Sequence, residues 1–367
     1  MQLVRVLVAV VGGVLAVLVT LSVVRTLVIP RARPGGVSHA VDHTIDMVFL
    51  WLARRVDTYK DRDRILAGQA AAVLVGLLVA WLASYFFAYT LLLWPWTHDL
   101  GVAAREAMSS LFTLGFAATD RAGPTVLDGM TAASGLVVVA VQIAYLPTLY
   151  SAFNRRETEV MLLNARAGAP PWGPELLART RYGINARTDD LPAFYALWER
   201  WAADVAESHS NYPVLVRFRS PQPLTSWLVA LLAVMDSAAM HLALCPSQER
   251  YETRMCLRMG FTALRQIAVA LHMPVDYDPD PDRPILLPYE DFLAGVRRLE
   301  AVGYPIERSA EDAWPHFRGW RVNYEAIAYR LAEETDAVPA LWSGPRRWPA
   351  DPMAPIRPPN RIASEAS

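Results

Sequence analysis

The sequence predicts an all-α membrane protein. It is expected to have three transmembrane helices, a short re-entrant helix and loop between the second and third, and a mostly helical cytoplasmic domain. Three observations carry that reading. The 367-residue chain is 53% hydrophobic, with a mean hydropathy of +0.20. Only 19% of it is charged, against roughly 25% in an ordinary soluble domain. Its apolar residues gather into three charge-free stretches before Arg156. This composition excludes disorder for the whole chain and argues against a purely cytosolic protein. A net charge of −1 gives no global field toward nucleic acid, and no nucleic-acid partner is expected. The two cysteines, Cys245 and Cys256, make neither a disulfide framework nor a Cys-x-x-Cys motif.

The first stretch, residues 6–24, lies between Arg5 and Arg25. It is longer than the apolar core of a usual signal peptide and no small-residue cleavage site follows, so residues 1–30 read as a retained anchor. Residues 31–64 read as a cytoplasmic linker, with an apolar run at 45–53 lying at the interface and Trp51 at headgroup depth. The second stretch, 65–98, and the third, 129–154, are each long enough to span a bilayer. Basic residues set the orientation. Segment 31–64 holds Arg31, Arg33, Arg54, Arg55, Lys60, Arg62 and Arg64, whereas 95–128 holds only Arg105 and Arg121. The positive-inside rule then puts 31–64 and 155–367 inside, with 95–128 and the N-terminus outside.

Between the second and third spans, residues 102–113 favour a helix of about 18 Å, too short to cross a bilayer. A short helix followed by Thr113-Leu114-Gly115-Phe116-Ala117 points to a loop that enters the membrane and returns, lining water. The order is span, short helix, Thr-x-Gly-Phe, Asp120, Pro124, Gly129, span and the paired Arg155 and Arg156. This resembles the pore module of the potassium-channel superfamily over residues 65–156, under a third of the chain. The resemblance implies a passive, monovalent cation channel, with K⁺ among its ions, in the plasma membrane as a homotetramer. It implies a selectivity filter at Thr113, Leu114, Gly115, Phe116 and Ala117, and a pore mouth at Asp120. Stacked carbonyl oxygens replace a cation's hydration shell in such a filter, and glycine supplies the backbone angles that turn them inward. The sequence also departs from the family pattern. Ala117 stands where the family has its second filter glycine, and Asp120 is displaced by two residues. A non-conducting, membrane-anchored helical sensor or scaffold with a degenerate pore loop is therefore the alternative.

On the third span, Gly135 reads equally as a hinge or as a close-packing site, and Pro147 as a gate or a packing irregularity. Gln142, alone and polar in mid-span, should face water or a neighbouring helix. The first span carries no arginine ladder, so a voltage sensor is not expected.

Residues 157–342 read as the helical cytoplasmic domain, with helices near 174–182, 191–209, 224–243, 248–272, 289–302 and 321–335, and 343–367 as a Pro-rich disordered tail. The apolar run 224–235 is too short to span and reads as a buried helix. Candidate sites here are weak. Asp236, His241, Cys245 and Cys256 lack metal-ligand spacing. Asp276, Asp278, Asp280 and Asp282 lack the glycine and closing Glu of a calcium loop. Glu207, Ser208, His209, Ser226 and Asp236 supply hydrolase residue types without a nucleophile elbow. Arg217 and Arg219 are compatible with an anion or an interface. No catalytic residue, cofactor or resident metal is expected, and the partners are the cations, the bilayer and other copies of the chain.

Overall fold

The computed structural model describes residues 2–29, 36–119, 121–182 and 188–345. Among these, every regular element is helical: thirteen α-helices and three short 3-10 turns. They form two compact units, one of residues 1–52 with 68–151, the other of residues 53–67 with those from 152 onward.

The chain begins with α1 (Gln2–Leu27), α2 (Gly36–Ala53), α3 (Tyr59–Ala67), α4 (Gln69–Thr97), α5 (Leu100–Leu111) and α6 (Ala122–Ala167). In the first unit, α1 runs antiparallel to α4. A Cβ on Gly12 would lie 2.6 Å from the Ala88 carbonyl oxygen, so the two backbones nearly touch there. Thr20 pairs with Tyr85 at 2.7 Å, and the Trp81 indole donates to Ser22. Helix α2 continues along the first part of α4: Val41 and Ile45 pack on Gly76, and Gln69 donates to Asp46. It is therefore a full helix of 18 residues rather than the short run expected at 45–53. Helices α4 and α6 are also antiparallel, with Trp96 against Gly123, Tyr89 hydrogen-bonded to Ser134, and Leu74 beside Gln142. Polar side chains thus join neighbours, while most of the apolar side chains of these three long helices face away from the unit.

The second unit contains α3, the end of α6, and then α7 (Gly173–Arg179), α8 (Leu191–Asn211), α9 (Trp227–Leu244), α10 (Tyr251–Ala270), α11 (Tyr289–Glu300), α12 (Ala310–Arg321) and α13 (Glu325–Glu334). Helix α9 is its axis, packed by α7, α8, α10, α12 and α13. Gly173 and Gly260 let neighbours approach it closely, and a Cβ on either would fall within 3 Å of α9 atoms. Its one acidic residue, Asp236, meets buried Arg321, and Arg321 also reaches Glu325, the Tyr329 hydroxyl and the Trp342 carbonyl.

Four helical segments are long and apolar enough to cross a membrane: Leu3–Leu27, Tyr59–Thr97, Ala122–Ala167 and Trp227–Leu244. The last corrects the expectation from 224–235, because the helix reaches 18 residues. Burial separates it from the others: 94% of its window is enclosed by protein, against 22–33% for the first three.

Stretch 31–64 does not stay together. Helix α2 belongs to the first unit, while α3 belongs to the second. Arg62 pairs with Asp336 at 2.5 Å, and Arg219 donates to Tyr59 and Asp63. Arg31, Arg33 and residues 346–367 of the expected tail lie outside the described residues.

Candidate pore loop

Helix α5 is started by Asp99, whose side chain accepts from the Val102 N–H at 2.9 Å. Capping satisfies a donor that the first turn leaves without an intrahelical partner. The helix ends beside Gly135, where an added Cβ would lie 2.3 Å from the Leu111 carbonyl oxygen. Gly135 follows Gly123 by twelve residues, so the end of α5 lies about 18 Å along α6 from the Trp96 level. The chain then returns to the start of α6 through residues 112–119 without regular structure.

Within that return, Thr113 has φ +55° and Gly115 has φ +72°, while Leu114 and Phe116 do not have positive φ. Gly115 occupies the left-handed region at little cost, whereas Thr113 is strained there. Alternation of φ sign along successive residues turns peptide groups toward a common side. The loop projects outward: Leu114 is 61% exposed and Phe116 49%. Such apolar side chains call for cover by lipid or protein.

Polar groups on α5 and α6 hold the loop from behind. The Ala117 N–H donates to Ser109 Oγ at 3.0 Å, and Thr119 donates to Glu106 at 2.9 Å. Ser110 donates to Asp128 of α6 at 2.7 Å. Glu106 is buried, and its Oε1 has no hydrogen-bond partner. These supporting residues were not singled out from sequence, although Glu106 is the one acid in the short helix. Asp120, the expected pore mouth, lies outside the described residues.

On α6, Gly135 serves close packing against α5, within a helix that is continuous there. Gln142 is 5% exposed and faces α4, its Nε2 lying 3.4 Å from the Leu74 carbonyl oxygen. Pro147 sits inside α6 without ending it. Further along, Arg155 pairs with Asp204 at 3.0 Å. Arg156 is fully buried: it bonds Glu157, the carbonyls of Leu215 and Phe218, and His209 Nε2 at 2.9 Å. That bond to a guanidinium requires His209 Nε2 to be an acceptor. Burial, and then the Arg156 charge, hold the His209 imidazole well below its ordinary value of 6.5.

The remaining sequence candidates are dispersed. His241 meets the Tyr304 hydroxyl, Cys245 the Pro305 carbonyl, and Asp236 meets Arg321 and Tyr324. Cys256 is buried in the helical core, and burial pushes its thiol up. Asp276 and Asp280 accept backbone N–H groups of their own loop, while Asp282 pairs with Arg318. Ser208 bonds its neighbour His209, and Ser226 stands at the N-cap of α9. Among the described residues, no group of three or more His, Cys, Asp or Glu side chains is placed to hold a metal ion.

Comparison with known protein families, with curated proteins and with solved structures found no match for this chain.

Proposed function

We propose that this protein is a plasma-membrane, pore-loop cation channel in which identical copies, four by the family pattern, surround a shared aqueous axis. Monovalent cations descend their gradient past residues 113–117, and no bond is broken.

One observation carries this reading. Residues 59–63 and those beyond 152 pack into one unit through Arg62–Asp336 and Arg219–Asp63. Both segments must then lie on the same side of the membrane, so the chain between them crosses an even number of times. Helices α4 and α6 supply two crossings. Helix α5 has 12 residues, too few for a third. Between two crossings, a short helix and an irregular return fit a loop that enters and leaves by the same face. Irregular backbone at membrane depth is tolerated where it lines water or is buried in protein. Helix α1 then adds the third span, with the N-terminus outside and the helical domain inside, in line with the Arg and Lys bias. Helix α9 is wrapped by its own unit and is read as its core, not as a fourth span.

The α5 C-terminus carries partial negative charge, which favours a cation below the loop. Leu114 and Phe116 would find cover in neighbouring copies. The second reading, a non-conducting membrane-anchored sensor or scaffold, is favoured by one contact. The Ala117 N–H is tied back to Ser109 where the family pattern has a second glycine.

Planar-bilayer recording of the purified full-length chain in opposed K⁺ and Na⁺ solutions tests the proposal. The expected result is a cation current whose reversal potential follows the cation gradient and which Gly115→Leu abolishes. Gly115 has no atom within 4 Å of an added Cβ, so that change acts on the loop backbone and not on the core. Silence across cations, voltages and pH overturns the channel reading in favour of the second.

A further inference from the structure

Two acidic side chains meet behind the return loop. Glu106 of α5 is 2% exposed. Its Oε2 accepts from the Thr119 hydroxyl at 2.9 Å, while its Oε1 is buried and has no partner. The carboxyl of Asp128, on α6, stands within hydrogen-bonding reach of it. Asp128 in turn accepts at 2.7 Å from Ser110, one helical turn after Glu106. No countercharge comes from the elements around the pair. Helix α4 holds no charged residue over 69–97, and the loop none over 112–119. The Tyr89 hydroxyl of α4 is bonded to Ser134. Asp99 caps the start of α5, and His98 bonds the Trp96 carbonyl. Arg105 and Arg121 are exposed. Among the described residues, no Arg or Lys pairs with Glu106 or Asp128.

We propose that Glu106 and Asp128 hold one shared proton, and that this proton locks the candidate pore loop at neutral pH. Two carboxylates sharing a site without a cation do not both ionise; one keeps its proton. A protonated carboxyl is a donor as well as an acceptor. Glu106 Oε1–H therefore donates to Asp128, and one negative charge serves the pair. Glu106 also holds Thr119, and Ser110 also holds Asp128, so this bond ties the end of the loop and the start of α6 to α5. At alkaline pH, hydroxide takes the proton and forms water, leaving two facing anions. Their repulsion parts α5 from the first turns of α6 and loosens residues 112–119. The consequence for ions rests on the channel reading, whereas the shared proton does not.

Infrared spectra of the full-length chain in lipid vesicles, recorded across a pH titration, test this without reference to conduction. The expected result is the C=O band of a neutral carboxylic acid at neutral pH. It should fade at alkaline pH and be lost in both Glu106→Gln and Asp128→Asn. Each amide can donate and accept across the pair, so both variants keep the contact while removing the proton site. Hydrogen exchange on the same samples reads the lock. Amides of 112–119 should lose protection at alkaline pH in the parent and keep it in Glu106→Gln at that same pH. The absence of such a band at neutral pH, or a band unchanged in both variants, overturns the shared proton. Loop protection that falls equally in the parent and in Glu106→Gln overturns the lock. Silence in bilayer recording bears on the channel reading alone.

Discussion

Arg156 and His209 form a contact whose charge state can be read from its geometry. The guanidinium donates to Nε2 at 2.9 Å, so the imidazole there is neutral. Folding depresses the His209 pKa below its ordinary 6.5. The unfolded chain therefore binds more protons in the window below that value, and stability falls as pH falls through it. The unfolding midpoint of the full chain should decline from about pH 6.5 downward. His209→Gln, which still offers an acceptor to Arg156, should flatten that decline; an unchanged pH profile would contradict the assignment. At the same scale, the sequence reads residues 113–117 as one loop, and the structure places them in a return without regular structure. Gly115 adopts positive φ as glycine's freedom allows. The left-handed Thr113 was not legible, because nothing in a threonine announces that the surrounding structure will impose such a conformation.

At the scale of elements, α9 shows what local pattern misses. The sequence marks a helix near 224–243, but its charge-free run stops at Asp236, so its length as an apolar helix is underestimated. In the structure the carboxylate stays within the helix because Arg321 and Tyr324, from the end of α12 and beyond, neutralise and bond it. Helix α12 itself was not anticipated, since Pro315 interrupts the pattern. Its start is nevertheless written in Ser309, which caps the Asp312 N–H. Arg321 is fully buried and touches two carboxylates, so Arg321→Met leaves both without their cation. Loss of one partner from a buried ion network costs about 3–5 kcal/mol. Denaturant unfolding followed by circular dichroism should show a loss of that size, whereas Arg64→Met, at an exposed pair with Asp61, should change little.

At the scale of the whole molecule, helices long and apolar enough to cross a membrane were legible because bilayer thickness imposes a length that composition reveals directly. The pairings that bring α3 to the C-terminal unit were not. Arg62 and Asp336 are separated by 274 residues, and no local pattern encodes such a meeting. Those pairings nevertheless underlie the proposed topology, in which the chain between residues 63 and 152 crosses the membrane an even number of times. In the proposed channel the return loop is where water and ions would meet the backbone. Cysteine substitution at that loop is clean, because the native Cys245 and Cys256 are both buried. The most direct test is therefore Phe116→Cys, recorded in a bilayer before and after a charged, membrane-impermeant thiol reagent is added from the outer side. The account predicts a cation current that the reagent blocks in Phe116→Cys and leaves intact in the parent chain. A current indifferent to the reagent, with the thiol shown by mass to be modified, would contradict it.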